Sequence, residues 1–298
     1  MTRHVALVGP TASGKSALAV ALASELGDVE IVSLDSMQVY RALDIGTAKP
    51  SVDERQEVPH HLIDVADPAE EWSVRRTQDG AREAIAGIEA RGHRALLVGG
   101  TGLYVRAVVD DLEIPPTDAA LRDAIDTEAA HDLSALYERL VALDPVAATR
   151  MEPGNRRRIV RALEVIELTG RAFSSFGPGI DDYAPPAIDV TIFGIAVESA
   201  ALAQRIERRF AAMHAAGLVD EVRGLAERPL SRTAREAIGY REVLAHLDGA
   251  GSLGEALDAA VRRTRRFARR QRVWFGRDPR VQWIDPGAPL PVLVGAAS

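Results

Sequence analysis

The stretch Gly9-Pro10-Thr11-Ala12-Ser13-Gly14-Lys15-Ser16 constrains the fold more than any other part of the chain. It meets the phosphate-loop pattern G-x-x-x-x-G-K-[ST] at every fixed position. The pattern needs a strand before it and a helix after it. His4-Val5-Ala6-Leu7-Val8 is an apolar run of strand type, and 16–26 is rich in alanine and leucine, which reads as a helix. Strand, loop and helix in this order predict an α/β fold with a parallel sheet and ligands at the carboxyl ends of its strands. The glycines let backbone N–H groups close around phosphate oxygens, and the helix N-terminus adds partial positive charge. Lys15 supplies a full charge, and the Ser16 hydroxyl can ligate Mg²⁺. Residues Gly9 to Ser16 are thus the expected nucleotide- or diphosphate-binding set. ATP-binding proteins share this loop, and the loop alone does not say which phosphorylated ligand it takes.

The length of 298 residues allows one large domain, or a core with a second, smaller one. Hydrophobic residues make up 47% of the chain, ample for a packed core. There are no cysteines, which excludes disulfides and cysteine-ligated metal sites and fits a reducing compartment. The first strand starts directly after Met1-Thr2-Arg3, leaving no room for a signal peptide, and no apolar run nears the roughly 18 residues of a membrane span. A cytoplasmic monomer without membrane contact is expected. The net charge of −7 and pI of about 5.6 argue against nucleic acid, but the distribution argues for it. Between 262 and 277 lie eight arginines and no acid, and 156–161 holds four more. Only two lysines occur, Lys15 and Lys49.

Along the chain, Val29-Glu30-Ile31-Val32-Ser33-Leu34 reads as a second strand that delivers Asp35 to the same edge as the loop, on an adjacent element. Asp35-Ser36-Met37-Gln38 would then line the cavity, or Asp35 simply caps a helix beginning near Ser36. Lys49 precedes Pro50 and should be extended. His60 and His61 point to opposite faces of an extended chain, which disfavours paired metal ligation. Residues 73–91 read as an amphipathic helix. Ala95-Leu96-Leu97-Val98 is a buried strand ending in Gly99-Gly100-Thr101-Gly102, not in the aspartate of motor and switch NTPases. The double glycine would let a substrate approach the backbone, or would only make a tight helix entry. From 117 to 170 the chain is helical throughout, and 173–186 is a glycine- and proline-rich linker. A strand returns at 190–197. The expected architecture is a P-loop-type parallel-sheet core from 1–115 and 187–298, with a helical insertion domain at 116–186. Beyond it, 200–225 reads as one helix with Arg205, Arg208 and Arg209. Residues 253–275 read as a long helix with an apolar stripe of Leu257, Val261, Phe267 or Ala268, and Phe275. Its arginines form either a solvated face or an RNA-facing one. Residues 281–284 are a candidate last strand.

Several motifs then coincide. The phosphate loop, Asp35-Ser36-Met37-Gln38-Val39-Tyr40, Asp44-Ile45-Gly46-Thr47-Ala48-Lys49-Pro50, Gly99-Gly100-Thr101-Gly102-Leu103-Tyr104 and Arg157-Arg158-Ile159-Val160-Arg161-Ala162-Leu163-Glu164 together resemble the bacterial tRNA dimethylallyltransferases. The resemblance covers nearly the whole chain, including Gly239-Tyr240 and the arginine-rich helix. Ser16 stands where many members have threonine, and Arg241 where lysine is common. The cysteine-bearing zinc finger frequent in eukaryotic relatives is missing. The resemblance implies transfer of a dimethylallyl group from dimethylallyl diphosphate to N6 of adenosine 37 in the tRNA anticodon loop, with Mg²⁺ as cofactor. It implies Lys15 and Arg209 on the leaving diphosphate and Asp35 as the base that takes the amine proton. Around the RNA it implies Asp35, Ser36, Met37, Gln38 and Thr101 at the flipped base, with Arg122, Arg157, Arg158 and Arg161 of the insertion also on the RNA. The competing readings are a P-loop small-molecule kinase with a helical lid, an adenylate isopentenyltransferase acting on free nucleotides, and a non-enzymatic RNA-binding module.

Overall fold

The computed structural model describes residues 4–177 and 183–286. These fall into two compact units, one drawn from the chain up to Asp111 and from Tyr183 onward, the other from Leu112 to Asp182. The division lies a few residues ahead of the expected 115/116 and 186/187 boundaries.

In the larger unit, β1 (His4–Val8), β2 (Val29–Ser33), β3 (His60–His61), β4 (Arg94–Gly99), β5 (Val190–Ile195) and β6 (Val281–Ile284) form one sheet. Every pairing is parallel and the order is β3-β2-β4-β1-β5-β6. The helices beside it are α1 (Lys15–Leu26), α2 (Val52–Glu57), α3 (Val74–Ala90) and α4 (Gly102–Val109). The insertion contributes α5 (Ala119–His131), α6 (Leu133–Leu143), α7 (Pro145–Thr149) and α8 (Arg156–Thr169). The chain then returns to α9 (Ser199–Ala215), α10 (Leu218–Ala226), α11 (Arg232–Arg235), α12 (Tyr240–Leu247) and α13 (Leu253–Gly276).

The sheet is covered on both faces, which is why its central strands are continuous apolar runs. Alternation still assigns each side chain to a face. Val5 and Leu7 of β1 enter a core with Ala19 and Leu22 of α1, Ile206 and Phe210 of α9, and Val243 of α12. Ala6 and Val8 enter the opposite core, with Ala81, Ile85 and Ile88 of α3 and Val105 and Val108 of α4. Each fully buried leucine or isoleucine contributes about 1.5–3 kcal/mol. The insertion has its own core of Ile125, Leu140, Ile159 and Leu163. Among the described residues no helix is long and apolar enough to cross a membrane.

Three local expectations change. β1 and β2 are not neighbours: β4 lies between them, so the end of β4 separates the phosphate loop from Asp35. The helix expected over 200–225 breaks at Gly217, whose φ of 97° only glycine adopts easily, and continues as α10. The chain after Asp35 forms a turn and not a helix.

Candidate active site

All strands run the same way, so β1, β2 and β4 end on one edge of the sheet. A cavity of about 410 Å³ opens there, lined by Thr11 to Ser16, Ser33, Asp35, Gln38, Thr47, Gly99, Gly100, Arg205, Arg209 and Gln271. Gly9 and Pro10 stand behind its wall, where their carbonyls accept from Lys15 Nζ at 2.9 and 2.7 Å. Gly14 has φ 99° and Ala12 φ 62°, so the loop holds one non-glycine residue in left-handed backbone. Burial pushes the Lys15 ammonium down to about 8, against the pull of Asp35 and assisted by Arg209. Ser13 Oγ is buried without a hydrogen-bond partner among the described residues. Ser16 is exposed on the cavity wall.

Two cations reach the loop from α9. Arg205 and Arg209 are four residues apart and so share a helix face. Arg209 Nη1 donates to Thr11 Oγ1 at 3.4 Å and Nη2 to the Thr47 carbonyl at 3.3 Å. Arg205 Nη1 donates to the Ser13 carbonyl at 3.1 Å. Burial lowers the Arg209 guanidinium from its ordinary value, and Asp35 opposes that shift. Arg208, between them in sequence, is exposed.

Asp35 faces Lys15 and Arg209 closely enough to influence both. Its Oδ1 accepts from the backbone N–H groups of Met37 at 2.8 Å and Gln38 at 3.3 Å. This is the capping role, performed on a turn. Oδ2 makes no hydrogen bond among the described residues and is left as an acceptor. Gln38 accepts from Ser33 Oγ at 3.1 Å and donates to the carbonyls of Thr47 and Ala48 at 3.3 and 3.2 Å. Its amide therefore holds the site's walls together. Ser36, Met37 and Thr101 are half-buried outside the cavity lining.

The 44–50 loop is docked by residues far away in sequence. Glu221 of α10 accepts from the N–H groups of Asp44, Ile45 and Gly46 at 3.0, 2.8 and 3.2 Å, and from Tyr240 Oη at 2.5 Å. A Cβ on Gly46 would lie 2.3 Å from the Tyr240 ring. Lys49 stands in this loop, outside helix and strand. Its ammonium is buried between the Tyr40 carbonyl and the carboxylates of Asp44 and Asp64, at 2.7, 2.5 and 2.6 Å. The two histidines face different surroundings: His60 borders the cavity, whereas His61 pairs with Glu30 at 2.7 Å. The double glycine makes room for the protein itself. A Cβ on Gly99 would meet Leu34 at 2.9 Å, and one on Gly100 would meet Gln271 at 2.4 Å.

In the insertion, Glu164 is fully buried and holds two of the four RNA-assigned arginines. Arg122 donates to it at 2.9 and 3.1 Å; Arg161 donates to it at 2.8 Å and to the carbonyls of Pro116 and Pro115, both at 2.9 Å. Arg157 and Arg158 are exposed, and their side chains have no hydrogen-bond or ionic partner among the described residues. On α13 the buried positions are Ala256, Ala260, Thr264, Ala268, Gln271 and Phe275, so the apolar stripe is rotated from the expected one, in which Leu257, Val261 and Phe267 are only half-buried. Arg263 pairs with Glu242 and Glu236 at 3.0 and 2.9 Å, and Arg265 with Glu207. Arg262, Arg266 and Arg269 are exposed. Arg205 and Gln271 are cavity residues absent from the sequence-derived set. Arg205 could have been found from its spacing to Arg209, but Gln271 carried no local signal.

The chain is similar to known proteins over nearly its whole length. A family model described as IPP transferase matches residues 38–278, and one described as isopentenyl transferase matches 2–66. The tRNA dimethylallyltransferase of Pseudarthrobacter chlorophenolicus is 51% identical over 94% of this chain and 93% of its own, and that of Geobacter metallireducens is 48% identical over 96% and 94%. The crystal structure of the full-length tRNA isopentenylpyrophosphate transferase of Bacillus halodurans is 41% identical, with a TM-score of 0.69 over 96% of this chain and 90% of that one. A eukaryotic dimethylallyltransferase, solved acting on tRNA, is 26% identical with a TM-score of 0.79 over 97% and 75%. With a family model matching 38–278 and relatives about half identical along almost the full length, the chain belongs to the tRNA dimethylallyltransferase family.

Proposed function

We propose that the protein transfers the dimethylallyl group of dimethylallyl diphosphate to N6 of adenosine 37 in the anticodon loop of tRNA, releasing diphosphate. One observation carries the reading. A carboxylate with an uncommitted oxygen shares a cavity with a phosphate loop and two arginines. The amine nitrogen attacks the allylic carbon bound to oxygen, and that C–O bond breaks with its electron pair passing to the diphosphate. Loop amides, Lys15, Arg209 and Arg205 stabilise the charge that develops on the leaving group. An adenine amine is a weak nucleophile, so Oδ2 of Asp35 takes its proton.

Magnesium fits this site through Ser16, whose hydroxyl stands on the cavity wall. Ser16 Oγ would hold the ion beside the diphosphate oxygens, which are the hard donors magnesium prefers. When bound, the ion further neutralises the leaving group. The adenosine has to leave the anticodon stack to reach Asp35, which costs least in a single-stranded loop. We assign the base-facing side to the 35–38 turn and Thr101. Backbone contact falls to Arg157 and Arg158, with Arg122 and Arg161 shaping the same surface through Glu164.

The direct test is mass spectrometry of tRNA incubated with the protein, Mg²⁺ and dimethylallyl diphosphate. A prenyl group on the adenosine next to the anticodon is expected. Consumption of ATP with unmodified tRNA would overturn the reading in favour of a kinase.

A further inference from the structure

The arginine-rich helix α13 has a polar residue in its buried stripe. Gln271 is 5% exposed, and a buried amide must find partners for both ends. Its partners lie on two separate pieces of the site. Oε1 accepts from the backbone N–H of Thr11 at 2.8 Å, and Nε2 donates to the carbonyl of Gly100 at 2.8 Å. An N–H can only donate and a carbonyl can only accept, so the orientation of the amide is fixed by its partners. Gly100 is shaped for this contact, because a Cβ there would lie 2.4 Å from Nε2.

The pinned residue is at a critical place. Thr11 directly precedes Ala12, whose φ of 62° is unfavourable for a residue with a side chain. Such strain persists only where the surroundings over-determine the backbone. Thr11 is held from both sides, at its N–H by Gln271 and at its hydroxyl by Arg209. The loop amides that follow Ala12 are those that would close around phosphate.

We propose that Gln271 is a positioning residue for the reaction. It ties the crown of the phosphate loop to the end of β4, keeps Ala12 in left-handed backbone, and thereby presents the loop amides and Arg209 in the geometry that receives the diphosphate. This rests on the dimethylallyl-transfer reading for its catalytic consequence, but not for the loop geometry itself. In this assignment Gln271 acts through Thr11 and touches no reacting atom.

The test measures binding of inorganic diphosphate by calorimetry beside steady-state prenyl transfer. Gln271→Met keeps the length and removes both hydrogen bonds. Gly100→Ala expels the amide while leaving Gln271 in the chain. Both should weaken inorganic diphosphate binding and raise KM for dimethylallyl diphosphate about 10–100-fold, with KM for tRNA unchanged. Ala12→Gly, which removes the penalty of positive φ, should restore part of the diphosphate affinity when added to Gln271→Met. Folded variants that bind inorganic diphosphate like wild type would overturn the proposal, as would a loss that Ala12→Gly leaves untouched. A wild-type protein that binds inorganic diphosphate without prenylating tRNA would overturn the functional reading, and the diphosphate measurements would still decide the role of Gln271.

Discussion

At Asp35 one carboxylate oxygen is engaged and the other is not, so the turn-fastening role and the proposed base role are compatible. Oδ1 fastens the turn through Met37 and Gln38, and Oδ2 remains available. Asp35→Asn keeps an oxygen for the turn and loses the proton acceptor. Single-turnover transfer should fall about 10²–10⁴-fold while diphosphate still binds. A normal rate would leave Asp35 with the turn alone. Lys15 gives a second prediction, with a definite sign. Its value of about 8 holds when only protein groups surround it. A diphosphate anion favours the ammonium and raises that value. Below about 8 the proton is already in place; above it, binding must take a proton up. Diphosphate affinity should therefore fall as pH rises past that point, by at most about tenfold per unit for one proton. Calorimetry in buffers of different ionisation enthalpy reads the uptake directly, and Lys15→Ala should abolish it. Equal heats for wild type in all buffers would contradict the assignment. Lys15 and Ser16 could be named from the local loop pattern, whereas Arg209 and the role of Asp35 followed only from the family resemblance. Thr47 and Gln271 could not be named, because their place at the cavity depends on contacts with distant segments.

Among elements, α8 shows how a run of like residues divides by the partner each one finds, since Arg161 shares a helix face with Arg157 and Arg158. Arg156 pairs with Asp126 at 2.7 Å and Arg161 joins Arg122 on buried Glu164, whereas Arg157 and Arg158 face outward. Arg158→Ala should weaken tRNA binding and lower its salt slope by about 1, with the fold unchanged. Arg161→Ala should act mainly on stability, at about 1–3 kcal/mol, because it strips a buried carboxylate of a donor. Thermal melts and filter binding at several salt concentrations separate the two effects. If Arg158→Ala changes neither affinity nor slope, that face of the insertion does not meet RNA. On α13 an arginine-rich sequence carries Gln271 on its buried side.

Across the molecule, the proposed function places phosphate chemistry and RNA contact in separately packed units. All the cavity's lining residues belong to the larger one, and the insertion has a core of its own. The chain leaves and rejoins the larger unit at one place, where Ala187 N–H donates to the Val109 carbonyl at 2.8 Å. Replacing 112–182 by a short glycine-serine linker should therefore leave inorganic diphosphate binding nearly intact and abolish tRNA prenylation. Loss of diphosphate binding in a folded replacement would show that the larger unit does not hold its loop alone. The net charge of −7 conceals this division, since the exposed arginines are local patches on an acidic protein.

The amino-acid sequence by itself determined the parallel α/β core, the helical insertion and the phosphate-loop motif with Lys15 and Ser16. Those features are local: apolar periodicity, glycine spacing and charge type are all read within a few residues of one another. Tertiary structure alone decided that β4 lies between β1 and β2, that Glu221 and Tyr240 dock the 44–50 loop, and that Gln271 reaches Thr11 across 260 positions of chain. Such contacts are made by single polar groups seeking partners after the sheet has closed, and no periodicity along the chain announces them.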